Sequence, residues 1–191
     1  MMFLIRHGET EWNSAGRFQG GKDSPLTCRG RAQAEAYGRQ LAGELAGLSL
    51  PLRAYVSPLG RAQETAAIIA QVVPLEIHLE PRIAEVSLGT WDGMSMYEIE
   101  MEFPGALSAA GRHDWYFRAP DGETFDAALN RVSGWLADAV PPALAVTHGL
   151  ASRLIRGAHD GLSKRDMLRL PVPQDGFYRM SAGRSVLVSC A

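Results

Sequence analysis

Four short apolar runs constrain this chain more than any other feature. They are MFLI at 2–5, LRAYVS at 52–57, ALAVTH at 143–148 and SVLVSC at 185–190. None alternates strictly between apolar and polar residues. An alternating strand keeps one face in water, whereas a strand without alternation needs cover on both faces. These four are therefore read as buried strands. LEIHLE at 75–80 and GFYRMSA at 176–182 alternate better and are expected at sheet edges. Between the runs, apolar residues step by threes and fours. One set is Ala34, Tyr37, Leu41, Leu45 and Leu48; a second is Ala62, Ala66, Ile69 and Val73; a third is Phe125, Leu129, Val132, Leu136 and Val140. Each set draws one apolar stripe on a helix. Buried strands alternating with amphipathic helices predict an α/β fold, a three-layer sandwich with a mainly parallel central sheet and helices on both faces.

The 191 residues suffice for one well-packed domain, 1–191. Residues 86–124 stand apart, rich in Gly, Trp, Met and Tyr, with one short helical candidate near 95–103. This segment is read as an insertion over the carboxyl edge of the sheet, covering a site there. The formal net charge of −2 supplies no global field to draw the chain to nucleic acid or to a membrane surface, so neither is an expected partner. The apolar start MMFLIRHG is too short for a signal peptide, and no run approaches a membrane span. A cytoplasmic location is expected, with Cys28 and Cys190 as reduced thiols.

The buried strands end in chemistry. The first runs into Arg6-His7-Gly8, and the third into Thr147-His148-Gly149. After the second, SPLGR places Arg61 in the first turn of the next helix. Carboxyl ends of parallel strands are where α/β sheets gather ligands. Arg6 beside His7 is electrostatically awkward unless an anion sits between them. Arg61 near a helix start opposes the macrodipole, which makes it a poor choice for stability alone. Its removal is expected to leave the free protein as stable or slightly more so. A tetrahedral dianion would resolve both conflicts, because guanidinium forks suit phosphate oxygens. A metal site is disfavoured, since His7 and His148 lack a close carboxylate or cysteine cluster and stand beside arginines. His78, His113 and His159 sit in no comparable setting.

LIRHGETEWN, GRFQGGKDSPLTCRGRAQA, YVSPLGRAQETA, IAEVSLGTWDG, PDGETF and VTHG, in that order, resemble the motif blocks of the histidine phosphatase superfamily, the phosphoglycerate mutase-like proteins. The likeness spans nearly the whole chain. It implies His7 as the phosphoryl-accepting nucleophile, with Arg6, Arg61 and His148 holding the phosphoryl oxygens. It implies Glu85 as proton donor and acceptor, and Asn13, Gln19 and Gly20 at the pocket mouth. Thr147 and Gly149 flank the second histidine, where backbone is expected to meet phosphate. Glu123 is either a second acid or pocket wall, or simply an acidic residue favoured near a helix start.

The reaction so implied is double displacement at phosphorus, with no cofactor and no metal. His7 must present a bare ring nitrogen while its other nitrogen donates to a backbone carbonyl. His148 is expected protonated, and Glu85 is expected buried under 86–124. A phosphatase acting on a small-molecule phosphate ester is favoured, because 86–124 carries few basic residues (Arg112 and Arg118) to grip a second acid. An α-ribazole phosphatase-like enzyme of cobalamin assembly and a sugar-phosphate phosphatase both fit. The alternatives are a phosphoglycerate mutase-type transferase and a non-catalytic phosphate-binding module. Trp91, Trp115, Tyr116 and Phe117 either meet a ring-bearing leaving group or pack the insertion.

Overall fold

Local signals place the elements of the computed structural model, which describes residues 1–47, 49–107 and 113–190. Leu48 and Arg112 lie outside the described residues. The strands are β1 Met2–Arg6, β2 Leu52–Val56, β3 Leu75–Leu79, β4 Ala143–Thr147, β5 Gly176–Ser181 and β6 Arg184–Ser189. The helices are α1 Glu11–Ser14, α2 Cys28–Glu44, α3 Gly60–Ile69, α4 Met96–Glu102, α5 Phe125–Asp138, α6 Gly149–Asp160 and α7 Lys164–Met167. Thr10, Thr27, Ser95, Thr124 and Ser163 cap α1, α2, α4, α5 and α7 with their side chains. Each cap satisfies an amide that the helix cannot. Only α3 and α6 lack a side-chain cap of their own among these seven helices.

One six-stranded sheet runs β3-β2-β4-β1-β5-β6. The four strands β3, β2, β4 and β1 are parallel, and β5 runs antiparallel to both its neighbours, β1 and β6. Alternation through the pleat splits the core in two. Phe3, Ile5, Leu144 and Val146 pack on one face with α2 and α3 residues such as Tyr37, Leu41, Ala62 and Ile69. Met2, Leu4 and Ala145 pack on the other with Val132, Trp135, Leu154 and Ile155 of α5 and α6. The connections change face as β4 inserts between β2 and β1, which makes the carboxyl ends of those three strands a switch point.

The sheet departs from expectation at one edge. The run at 185–190 forms the outer edge strand β6, with Val186 and Leu187 exposed. The segment at 176–182 is instead interior, with Phe177 fully buried beneath Phe3, their ring centroids 6.0 Å apart. Burial depends on neighbours on both sides, which a short apolar run does not reveal. The stripe on α5 is also rotated. Phe125, Ala128, Val132 and Trp135 are its buried residues, and Val140 lies exposed beyond its end.

Segment 86–124 carries a small core of its own, where Leu88, Trp91, Ile99 and Trp115 pack with Phe18. Among the described residues no helix is long and apolar enough to cross a membrane.

Candidate active site

Registration of the sheet brings three strand ends level. Arg6 of β1 pairs with Thr147 of β4, and Val56 of β2 pairs with Val146. The next residues of the three strands are His7, His148 and Ser57. The His7 amide donates to the Thr147 carbonyl at 2.9 Å, and the Ser57 amide to the Val146 carbonyl at 3.0 Å. The two imidazoles lie 5.2 Å apart between ring centroids. Close approach of α2 to this turn depends on glycine, because a Cβ on Gly8 would overlap the Gly30 carbonyl.

The tautomer of His7 follows from its partners. Nδ1 lies 2.7 Å from the Gly8 carbonyl oxygen, which can only accept. Nε2 lies 3.2 Å from Arg61 Nε, which can only donate. Only the neutral ring protonated at Nδ1 satisfies both. The backbone-carbonyl partner expected of a nucleophilic histidine is therefore present. Burial holds His7 well below its ordinary pKa of 6.5, and Arg6 and Arg61 reinforce this.

His148 differs from the protonated state expected of it as long as the pocket is empty. Burial, with Arg61, His7 and Arg6 close by, also holds its ring well below 6.5, so in the unliganded pocket it is neutral rather than protonated. Its Nε2 meets Ser57 Oγ at 2.7 Å. Its Nδ1 is buried without a partner, as is Arg6 Nε. An unpaired buried polar atom is costly, so two together at one set of strand ends point to a ligand that completes them. Arg6 is otherwise fixed through Nη1, which donates to the Val172 carbonyl at 2.7 Å. Burial works against its charge and Glu85 partly restores it.

Arg61 is buried and heavily committed. Its Nη1 donates to the Lys22 carbonyl at 2.5 Å and to Asp23 Oδ1 at 2.9 Å, and its Nη2 to the Gly20 carbonyl at 3.0 Å. Asp23 also accepts from the Gly60 and Arg61 amides at the start of α3. A carboxylate from a distant loop thus supplies the missing cap and neutralises the helix-start cation. No dianion is needed to resolve that conflict at the helix start.

The same device recurs at α6. Glu85 Oε1 accepts from the Val86 and Ala151 amides at 2.9 Å each, and Oε2 from the Leu150 amide at 3.1 Å. Glu85 is half-buried and stands at a helix N-terminus, a different setting from burial beneath 86–124. Its Oε1 has two donors and its Oε2 one, which leaves Oε2 with capacity to spare.

A cavity of about 110 Å³ is lined by Arg6, His7, Asn13, Gln19, Gly20, Arg61 and Glu85, together with Arg17, Phe18, Val86, Leu88, Tyr116 and Leu150. Gly149 lines an adjoining cleft. Thr147 and His148 are buried and are not among the residues that line the cavity, and the Thr147 hydroxyl donates to the Ile83 carbonyl at 2.7 Å. The Gln19 amide is already engaged with Thr10 and Ser24. Gly20 holds a positive φ of 50° against Asp92. Glu123 is not brought to the cavity. It pairs with Arg131 at 2.6 and 2.8 Å, and Arg131 also holds the Arg82 and Ala84 carbonyls just before Glu85. Of the aromatic set, Trp91 and Trp115 pack in the small core and Phe117 packs on Phe125, while Tyr116 reaches the cavity.

Sequence reasoning missed Asp23, Ser57 as the partner of His148, and the carbonyls that aim the arginines. One signal was available: Leu59 and His148 precede α3 and α6 where a capping side chain would ordinarily stand. Among the described residues no group of three or more His, Cys, Asp or Glu side chains could hold a metal ion.

The chain resembles known proteins in both sequence and fold. It is 36% identical over 155 residues to the protein named "Probable phosphoglycerate mutase GpmB" of Enterobacter sp. (strain 638), covering 78% of this chain and 70% of that one. It is 34% identical over 137 residues to phosphoserine phosphatase 1 of Hydrogenobacter thermophilus, covering 72% and 63%. The structure of the α-ribazole phosphatase from Shigella flexneri superposes with a TM-score of 0.80 at 27% identity, over 99% of this chain and 95% of that one. The model of the histidine phosphatase superfamily (branch 1) matches residues 2–186, and the chain belongs to that superfamily.

Proposed function

We propose that the chain is a metal-independent phosphomonoesterase that hydrolyses a small phosphorylated metabolite through a phosphohistidine on His7. The observation that carries this is the neutral His7 ring, with its bare Nε2 at the cavity and the unpartnered Arg6 Nε and His148 Nδ1 close by. In the first step the Nε2 lone pair forms a bond to phosphorus as the ester P–O bond breaks. Glu85, in its acid form at Oε2, gives its proton to the leaving alkoxide. In the second step water attacks the phosphohistidine, Glu85 takes the proton, and the N–P bond breaks to release phosphate. Arg6 and Arg61 supply fixed positive charge to the equatorial oxygens, the main lever in phosphoryl transfer. Phosphate entry makes His148 a charged donor, because the dianion offsets the arginines that keep it neutral in the empty pocket. In this reading 1–191 works as one domain and 86–124 covers the site, contributing Val86, Leu88 and Tyr116 to the cavity wall.

The likeness to a mutase-named protein keeps phosphoryl transfer as the competing reading. Rapid quench with a phosphoryl-labelled aryl phosphate tests both. Acid-labile, base-stable label is expected on the wild type and absent from His7→Ala, and free phosphate should appear at the rate of label loss. Label on folded His7→Ala, or label that leaves only when an acceptor alcohol is added, would overturn the hydrolase reading.

A further inference from the structure

The cavity opens into an adjoining cleft of about 250 Å³, which it shares with Arg6, Asn13, Arg17, Phe18, Tyr116 and Leu150. Among the described residues no Asp or Glu lines that cleft, and Arg153 enters it from α6. The two outer arginines differ. Arg17 has both terminal nitrogens on Glu98, at 2.8 and 2.6 Å. Arg153 donates from Nε to the Leu170 carbonyl at 2.8 Å, and its guanidinium lies 6.0 Å above the Tyr116 ring. Among the described residues its two terminal nitrogens have no acceptor and it makes no ion pair. Its charge therefore adds to that of Arg6 in the cleft that follows the phosphoryl cavity.

An anchored, unneutralised guanidinium is a preorganised receptor, since little rotamer freedom remains to be lost on binding. Its free fork matches the two oxygens of a carboxylate. We infer that Arg153 is a specificity-determining residue that grips a carboxylate on the leaving group, so that the substrates are phosphorylated carboxylic acids. This rests on the phosphatase reading above. In this reading a second acid is gripped from α6 and not from segment 86–124.

The test compares phosphate release from 3-phosphoglycerate and from glycerol 3-phosphate, which differ by carboxylate against hydroxymethyl. The wild type should favour the acid by about tenfold or more in kcat/KM, as a charge-assisted contact warrants. Arg153→Met should bring that ratio near one, whatever happens to either absolute rate, and Arg153→Lys should keep part of it. A wild-type ratio near one overturns the proposal without any variant, and so does a preference that survives in Arg153→Met. If both esters fail while p-nitrophenyl phosphate is turned over through labelled His7, this inference falls and the phosphatase reading stands. If all three fail, both fall.

Discussion

Arg61 Nε donates to His7 Nε2 across 3.2 Å, so the candidate nucleophile and a buried guanidinium share one hydrogen bond in the empty site. An incoming phosphoryl group must take up that donor as His7 turns its lone pair to phosphorus. Arg61 is pre-aimed for this by Gly20, Lys22 and Asp23.

Arg61→Ala should lower kcat/KM by about 100- to 1,000-fold, as loss of one oxyanion donor does. It should also lower the melting temperature, because it strips partners from Asp23 and from two carbonyls. This reverses the expectation that removing a helix-start cation is harmless. Kinetics and thermal melts of the same preparation check it. An unchanged kcat/KM in a folded variant would show that Arg61 serves the fold alone.

Glu85→Gln should separate two roles. Gln offers one carbonyl oxygen to three amides and turns an NH₂ toward donors, so a loss of about 1 kcal/mol is expected, the usual worth of a cap. Kinetically, formation of phosphohistidine should slow far more for an alkyl phosphate than for p-nitrophenyl phosphate, whose phenolate leaves without a proton. Hydrolysis of the intermediate should slow equally for both. Rapid mixing with the aryl ester should then show a phenolate burst. Equal slowing of the first step for both esters would remove Glu85 from the acid role.

Acid should loosen the fold earlier than carboxylates alone would cause. His7 and His148 both have pKa values held below 6.5 by burial. Between that depressed value and 6.5 the unfolded chain binds more protons than the folded one, so stability rises with pH across this window. The contribution is complete above 6.5 and is lost as pH falls below it. Urea melts from pH 8 to 5 should show the decline beginning near 6.5, with a shallower slope in His7→Asn. A flat profile through pH 5.5 would contradict neutral burial of the pair.

Chelation should leave turnover intact. Arg6 and Arg61 already supply the positive charge that a metal would bring to the phosphoryl oxygens. Activity is measured after exhaustive dialysis against EDTA. Loss of activity restored by one divalent ion would assign the cavity to a metal.

The elements that carry the chemistry were legible in the sequence because their signals are local. Unbroken apolar runs mark strands buried on both faces, and the residues after them must sit at strand ends. That logic alone placed Arg6, His7, Arg61 and His148 together at the carboxyl side of one sheet. The order of strands at the β5-β6 edge was not legible, since exposure of Val186 depends on a neighbour that is absent from its outer side.

Apart from the Gly8 carbonyl beside His7 Nδ1, what sets the state of those residues came from long range. Asp23 meets Arg61 across 38 positions, Ser57 meets His148 across 91, and the Val172 carbonyl meets Arg6 across 166. The neutrality of His148, the amide-held carboxylate of Glu85 and the anchoring of the Arg153 guanidinium on the Leu170 carbonyl all follow from such packing. Hydrophobic periodicity is written residue by residue along the chain. Hydrogen-bond partners and desolvation exist only once distant segments close around a side chain, so the sequence by itself determined where the reactive groups sit, and the tertiary structure decided their charge, tautomer and aim.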